Sequence, residues 1–139
     1  MKIVLDTNVV MDVLADREPF ANDSEEVMNL AANRRVVAAI TANSITDIAY
    51  LLRDRPKGGK TVRAVILDLM EVLEVLAVGR EQCVRATELP MADYENALLA
   101  VCAKRWNADL IVTRNIRDFK ESPVQAVSPR DCLRRIGRM

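Results

Sequence analysis

The chain has 139 residues, of which 50% are hydrophobic and 29% are charged. This composition predicts one globular domain over residues 1–139 and argues against a mostly disordered chain. Twenty basic and twenty acidic residues cancel, so the overall charge lacks the basic excess of many nucleic-acid-binding proteins. The chain contains no histidine, which excludes His-dependent triads and His-ligated zinc. Carboxylates and metal-bound water are then the expected chemistry of an enzyme.

Hydropathy and cysteine content predict the cellular compartment of the protein. No stretch approaches the roughly 18 apolar residues of a membrane span, and the N-terminus lacks the pattern of a signal peptide. We therefore expect a cytoplasmic protein with no membrane association. Cys83, Cys102 and Cys132 are odd in number and widely spaced, which indicates reduced and mostly buried thiols.

The first third of the chain alternates predicted strands and helices. KIVL predicts a buried strand that ends at Asp6, with Thr7 or Asn8 as the cap of the next helix. ANDSEEVMNLAANRR predicts a second helix, with its N-cap among residues 22–24. RVVAAIT predicts a second buried strand, and ANSITDIAYLLRDR a helix with Asp47 in its first turn.

The alternation continues after a break at PKGGK. TVRAVILDLMEVL predicts a helix, EVLAV a third strand, and residues 80–88 another helix. ADYENALLAVCAKRWN predicts a helix capped by Asp93, DLIVT a fourth strand, RNIRDF a turn or short helix, and VQAV a fifth strand. SPRDCLRRIG predicts a final helix that begins at Ser128. Apolar strands alternating with helices predict an α/β fold with a parallel sheet of about five strands covered by helices.

Polar side chains follow the strand ends or open the helices near them. They are Asp6, Asp47, Asp93, Glu95, Asn115 and Asp118. Because the carboxyl ends of parallel strands meet at one edge of a sheet, several of these groups are expected there. Oxygen ligands suit Mg²⁺ or Mn²⁺. Taken singly, each acid also fits a plainer role as a helix cap, a partner of a helix dipole or a surface turn residue.

Basic residues occur near this edge and on the last helix. Arg114 and Arg117 flank the predicted site and are candidates for binding substrate phosphates. The last helix carries a solvated face or a partner surface, which comprises Arg130, Arg134, Arg135 and Arg138.

Three segments together resemble a known family. VLDTNVVMDVL, SITDIAYLL and DYENALLAVCAKRWNADLIVTRNIRDF, followed by the terminal strand and helix, resemble the PIN (PilT N-terminus) domain family, which includes VapC-type toxins. The resemblance covers essentially the whole chain, and the order of the segments is more specific than LDTN alone. It implies a three-layer α/β/α Rossmann-like fold and a metal-dependent endoribonuclease that uses one or two Mg²⁺ or Mn²⁺ ions. It also implies an RNA substrate, an antitoxin partner and a homodimer.

The resemblance assigns roles in the first half of the chain. Asp6 matches the first family acid, and Asp47 lies where the family has Glu or Asp. Asn8 and Thr113 match polar residues that support the site. Metal held by these acids would lower the pKa of a bound water and stabilise charge on the phosphate, so no protein nucleophile is required.

The second half departs from the family pattern and leaves the remaining ligands open. Asn96 stands where an Asp is common, and Asp93 and Glu95 flank it. After the fourth strand, many relatives have Thr-Arg-Asp, whereas this chain has Asn115 and then Asp118, in the TRNxxDF form that also occurs in the family. The expected catalytic acids are Asp6, Asp47, Asp93 and Asp118, and the candidate ligands also include Glu95, Asn96 and Asn115.

Two other classes of protein remain as alternatives. An inactive PIN-fold interaction module is consistent with Asn96, Asn115 and the neutral charge balance. A haloacid-type phosphatase or a receiver domain also places an acid after the first strand. The phosphatase, however, requires a second Asp where Asn8 stands, and the receiver requires a pair of acids near Asp6 and a late lysine. Neither pattern is met well.

Overall fold

In the part of the chain that the structure describes, a parallel sheet of five short strands runs through the middle of the protein. The computed structural model describes residues 1–137, so Arg138 lies outside the described residues. The strands are β1 (Lys2–Leu5), β2 (Val37–Thr41), β3 (Glu74–Leu76), β4 (Leu110–Val112) and β5 (Ala126–Val127). Their order in the sheet is β3-β2-β1-β4-β5, and every pairing is parallel. The winding direction reverses between β1 and β4, and such a switch point opens a crevice at the carboxyl ends of the strands.

Within residues 1–137, seven helices cover the two faces of the sheet. They are α1 (Thr7–Leu14), α2 (Ala21–Ala32), α3 (Ala42–Leu52), α4 (Val62–Val72), α5 (Arg80–Ala86), α6 (Tyr94–Arg105) and α7 (Pro129–Ile136). A 3₁₀ turn, Ile116–Phe119, follows β4.

Alternate side chains of the central strand pack against different helices. Ile3 and Leu5 belong to a buried cluster with residues of α1, α2, α3, α4 and α7. Val4 belongs to a second cluster with Ile111 and residues of α6. Since successive strand residues point to opposite faces, these clusters lie on the two sides of the sheet. The predicted three-layer α/β/α fold is confirmed.

Three local predictions in the first half are wrong. Asp6, rather than Thr7 or Asn8, is the N-cap of α1. Helix α2 begins after Phe20, which makes no side-chain capping bond, because the chain turns into the helix before the polar residues 22–24. Asp47 is in the second turn of α3, since that helix starts directly at the end of β2.

Other local predictions are confirmed. Asp93 accepts a hydrogen bond from the Asn96 N–H at 3.0 Å as the cap of α6. Ser128 accepts one from the Asp131 N–H at 3.1 Å as the cap of α7. The three cysteines are free thiols, two of them buried. Over residues 1–137, no helix has both the length and the apolar character needed to cross a membrane.

Candidate functional site

Asp6 lies where β1 ends and α1 begins, and three donors fix its carboxylate. The Thr7 N–H donates to Oδ1 at 2.8 Å, which is the capping bond of α1. The Thr113 hydroxyl donates to Oδ2 at 2.8 Å, and Asn8 Nδ2 donates to the same oxygen at 3.3 Å. Thr113 is fully buried at the end of β4. The carboxylate is therefore held jointly by its own helix and by the neighbouring strand.

The charges around Asp6 have opposing effects on its protonation. Burial raises the pKa of the Asp6 carboxyl above its ordinary value, whereas the hydrogen bonds from Thr113 and Thr7 lower it. The negative charge of Asp93 also raises this pKa, and the positive charge of Arg114 lowers it. Asp93 and Arg114 are thus close enough to Asp6 to act on it electrostatically.

Glu95 and Asp47 form the other half of the acid cluster. The pKa of Glu95 is raised to about 6, and the largest cause is a hydrogen bond with the Asp47 carboxyl, which requires a shared proton. Partial burial and the negative charges of Asp47, Asp93 and Asp6 contribute to the same rise. Like charges at short range disfavour joint ionisation, so these four carboxyl groups occupy one region.

The four carboxyl groups come from three separate parts of the fold. Asp6 follows β1, Asp47 is on α3, and Asp93 and Glu95 are at the start of α6. We call Asp6, Asp47, Asp93 and Glu95 the acid cluster. An all-oxygen donor set in which the pKa values of Asp6 and Glu95 are raised has the chemistry of a site for a hard divalent cation such as Mg²⁺ or Mn²⁺.

The acid cluster is not a preformed cage. Within residues 1–137, no group of three acidic or thiol side chains already has the arrangement of a metal site. Glu95 and Asp93 are exposed at a helix start, where a change of side-chain rotamer requires no repacking of the core.

Three of the predicted ligands have no contact with the acid cluster that would identify a role. Asn96 is half-buried in the first turn of α6, and only its backbone N–H is bonded to Asp93. Asn115 donates its backbone N–H to the Thr113 hydroxyl at 3.0 Å, which supports the residue that binds Asp6. Asp118 is exposed in the 3₁₀ turn and is not among the charges that shift the pKa of Asp6 or Glu95. Their assignment as ligands stays a prediction.

The two predicted substrate arginines lie in different environments. Arg114 Nε donates to Asp12 Oδ2 at 2.7 Å, and its guanidinium carbon is 4.0 Å from the centre of the Phe20 ring. Arg117 is exposed in the 3₁₀ turn. The guanidinium of Arg114 is therefore fixed, while the side chain of Arg117 extends into solvent.

Asp12 and Phe20 are absent from the sequence-based set of site residues. Asp12 is fully buried on α1, four residues after Asn8 and thus on the same side of the helix. A sequence signal exists, because this acid interrupts the apolar run from Val9 to Val13. Its partner Arg114 is 102 residues away, so the sequence alone does not pair them.

The fold and the acid cluster together define a class of protein, a three-layer α/β/α domain with acids at the carboxyl edge of a parallel sheet. The model of the PIN domain family matches residues 2–117. The chain therefore belongs to the PIN domain family, which confirms the resemblance found in the sequence. At the level of the family, this places it among nucleases. No curated protein sequence matches the chain significantly.

Solved structures with the same fold include chains of toxin–antitoxin complexes. A chain of DNA-bound VapBC from Salmonella typhimurium is 20% identical, with a TM-score of 0.68, and the match covers 93% of this chain and 98% of that one. A chain of VapBC2 from Rickettsia felis, bound to a promoter DNA fragment, is 20% identical with a TM-score of 0.67, over 92% and 98% of the two chains. VapC20 from Mycobacterium tuberculosis, a sarcin-ricin loop cleaving toxin, is 16% identical with a TM-score of 0.61, over 78% and 86%. These likenesses concern the fold.

Proposed function

We propose that this chain is a single-domain, metal-dependent endoribonuclease that hydrolyses RNA phosphodiester bonds as the toxin of a toxin–antitoxin pair. The observation that carries the proposal is the convergence of Asp6, Asp47, Asp93 and Glu95 at the carboxyl edge of the sheet. The choice of RNA is supported by VapC20, which is described as cleaving the sarcin-ricin loop. An antitoxin partner is supported by the VapBC complexes that share the fold.

The residues of the acid cluster have different roles as ligands of the cation. When bound, Mg²⁺ or Mn²⁺ supplies Lewis-acid activation of water and neutralises charge on the phosphate. Asp6 is held in place by Thr7, Thr113 and Asn8, so it is the fixed ligand. Asp47, Asp93 and Glu95 complete the set from two helices, and Asp118, Asn96 and Asn115 are candidates for further ligands. Arg114 and Arg117 bind substrate phosphates beside the cluster.

A homodimer is supported by exposed apolar side chains on α4. Leu67 is 63% exposed and Met70 is 45% exposed, and at a spacing of three residues they lie on the same side of the helix. Contiguous exposed apolar side chains are typical of protein–protein interfaces. The concentration dependence of the molecular mass in solution measures this association directly.

The alternative is a catalytically weak or inactive PIN-fold interaction module. The lack of a preformed three-acid group within residues 1–137 favours it. A calorimetric titration with Mn²⁺ separates the two functions, because an inactive module that has lost its cation site releases or absorbs no heat of binding.

The direct test is cleavage of total bacterial RNA by the purified chain. We expect cleavage with Mg²⁺ or Mn²⁺ and none with excess chelator, and activity should return when the metal is restored. Single-stranded DNA of similar length is the parallel substrate that tests the preference for RNA. Metal-independent cleavage, or no cleavage at any metal concentration, would contradict the proposal.

The pH dependence of metal binding follows from the raised pKa of Glu95. With a pKa of about 6, Glu95 carries a proton below this pH, and the proton competes with the cation. The apparent Mn²⁺ affinity should therefore fall as the pH drops from 7 through about 6, and it should level off above 7. Calorimetry at a series of pH values measures this, and Glu95→Gln is the control that should flatten the profile near pH 6. A profile unchanged by Glu95→Gln would exclude Glu95 from the site.

The roles of Asp93 as helix cap and as ligand can be separated by two substitutions. Asp93→Ser keeps a capping oxygen for the Asn96 N–H but removes the charge, whereas Asp93→Ala removes both. Loss of the cap in Asp93→Ala should cost about 1 kcal/mol of the free energy of unfolding, and Asp93→Ser should cost little. If Asp93 binds the cation, both variants lose Mn²⁺ affinity to the same degree. Retained affinity in Asp93→Ser would leave Asp93 with the capping role alone.

A further inference from the structure

A buried carboxylate on α1 holds an arginine beside the acid cluster. Asp12 is fully buried, and its Oδ2 accepts the hydrogen bond from Arg114 Nε at 2.7 Å. Arg17 Nη1 lies 4.0 Å from Oδ1, which has no hydrogen-bond partner among residues 1–137. Since an unpaired buried carboxylate is strongly unfavourable, the contact with Asp12 fixes the position of the Arg114 guanidinium.

Two further contacts restrict Arg114. Its guanidinium lies over the Phe20 ring at 4.0 Å, and its backbone N–H donates to Asn8 Oδ1 at 3.4 Å. Among the described residues, the hydrogen bond of its side chain uses Nε alone, so both Nη groups are free to bind a ligand. Its side chain is 26% exposed, which leaves this end of the guanidinium accessible.

An open cleft of about 360 Å³ lies in front of Arg114. Its lining includes Phe20, Asp23, Ser128 and Arg130 from the start of α2 and of α7. Arg130 Nε is 3.3 Å from Asp23, and this surface pair is weak because the Arg130 side chain is 69% exposed. Phe20 is 41% exposed. An accessible aromatic ring next to guanidinium groups is typical of sites that bind unpaired nucleotides.

The cleft adjoins the acid cluster through consecutive residues. Thr113, which donates to Asp6, directly precedes Arg114. Asn8 contacts both sides, because it donates to Asp6 and accepts from the Arg114 N–H. A strand whose phosphate lies at Asp6 therefore has its neighbouring nucleotide within reach of the cleft.

We propose that this cleft binds one nucleotide of the substrate strand, next to the bond that is cut. The base stacks on the part of Phe20 that Arg114 leaves exposed. The phosphate contacts the Nη groups of Arg114 and the guanidinium of Arg130, and Asp12 is the positioning residue that fixes Arg114. The inference rests on the proposed function, since it assumes that a nucleic-acid strand crosses the acid cluster.

The test is a metal-free NMR titration of the ¹⁵N-labelled chain with ribonucleoside 5′-monophosphates, and with inorganic phosphate in parallel. We expect the largest shifts at the amides of Phe20, Arg114 and Arg130, and smaller ones with phosphate. Phe20→Leu should raise Kd at least about fivefold, since base stacking on an aromatic ring is lost. Tyr50→Leu is the matched control, because Tyr50 is also an exposed ring stacked by an arginine, on α3. It should leave Kd unchanged.

Asp12→Asn tests the positioning role, because it keeps an acceptor for Arg114 Nε but removes the charge. In a variant with a folded spectrum, a merely structural Asp12 would leave Kd unchanged, whereas a positioning Asp12 raises it. If Asp12→Asn does not fold, the nucleotide Kd of Phe20→Leu, a substitution at an exposed side chain, decides whether the cleft binds a nucleotide. The inference would be overturned by chemical-shift changes that are as large with inorganic phosphate as with the nucleotides, by changes confined to other residues, or by no changes at all. It would also be overturned if Tyr50→Leu weakened nucleotide binding as much as Phe20→Leu. Cleavage of RNA without nucleotide binding in the cleft would contradict this inference alone, and binding without cleavage would contradict only the nuclease proposal.

Discussion

Replacing Asp6 with Asn should reduce metal-dependent RNA cleavage by about 100-fold or more, because even indirect supports of a metal site typically contribute 10- to 100-fold. Asn keeps an oxygen for the Thr7 N–H but brings no charge to a cation. The fold should persist. Burial raises the pKa of Asp6, so its charged form is disfavoured in the folded chain and a neutral side chain relieves this cost. In Asn, however, an NH₂ group replaces Oδ2 and faces the Asn8 Nδ2 donor, so the melting temperature at pH 7 should change little.

Asp109→Asn provides the matched control for this variant. Asp109 precedes β4 at the opposite edge of the sheet, where its carboxylate accepts a hydrogen bond from the Lys2 N–H at 2.8 Å. Both acids thus bind the backbone next to the central strand, and only Asp6 lies in the acid cluster. Steady-state cleavage rates should fall for Asp6→Asn and remain unchanged for Asp109→Asn. Equal rates for the two variants would remove Asp6 from the catalytic site.

Replacing Arg114 with Ala should lower the free energy of unfolding by about 3 kcal/mol, because it leaves the fully buried Asp12 without its closest cation. Arg17 does not replace it, since it lies at 4.0 Å and its side chain is 32% exposed. Urea denaturation monitored by circular dichroism measures the change. Arg117→Ala, an exposed arginine of the same loop, should change the stability by less than about 0.5 kcal/mol.

The double variant Asp12→Asn/Arg114→Ala identifies the cause of this loss. With the charge of Asp12 removed, much of the stability lost in Arg114→Ala should return, so that the two effects are not additive. Additive losses would mean that Arg114 stabilises the fold through Phe20 and the loop alone. The same set of four proteins, assayed for nucleotide binding, also shows whether Asp12 affects the ligand only through Arg114.

The parallel sheet and the succession of strands and helices along the chain were predicted well from the sequence. Short apolar runs such as KIVL and DLIVT are buried on both faces of the sheet, and such runs fit a buried strand better than a helix. Local starts of helices were less predictable. Asp47 falls in the second turn of α3 because β2 and α3 are joined without a loop, and a polar stretch such as residues 42–44 does not reveal where one element ends and the next begins.

The candidate site could be predicted in part. Asp6 and Asp93 can be recognised in the sequence as candidate site residues because each lies at the start of a helix. The parallel sheet then brings both helix starts to the same edge. The proximity of Glu95 to Asp47 depends on how the start of α6, on one face of the sheet, and α3, on the other face, meet at the carboxyl edge. The pairing of Asp12 with Arg114 joins residues 102 positions apart. Neither contact has a signature within a short segment, so both required the folded structure.

The most direct measurement is anomalous diffraction from a crystal of the chain soaked in Mn²⁺. We expect a manganese peak within coordination distance of an Asp6 carboxylate oxygen, about 2.0–2.3 Å, with at least one further oxygen from Asp47, Asp93 or Glu95. The same map shows whether Asn96, Asn115 or Asp118 approaches the ion. If a fully soaked crystal shows no peak at Asp6, or its only strong peak lies away from the acid cluster, then Asp6 does not hold the metal ion and the acid cluster is not the metal site.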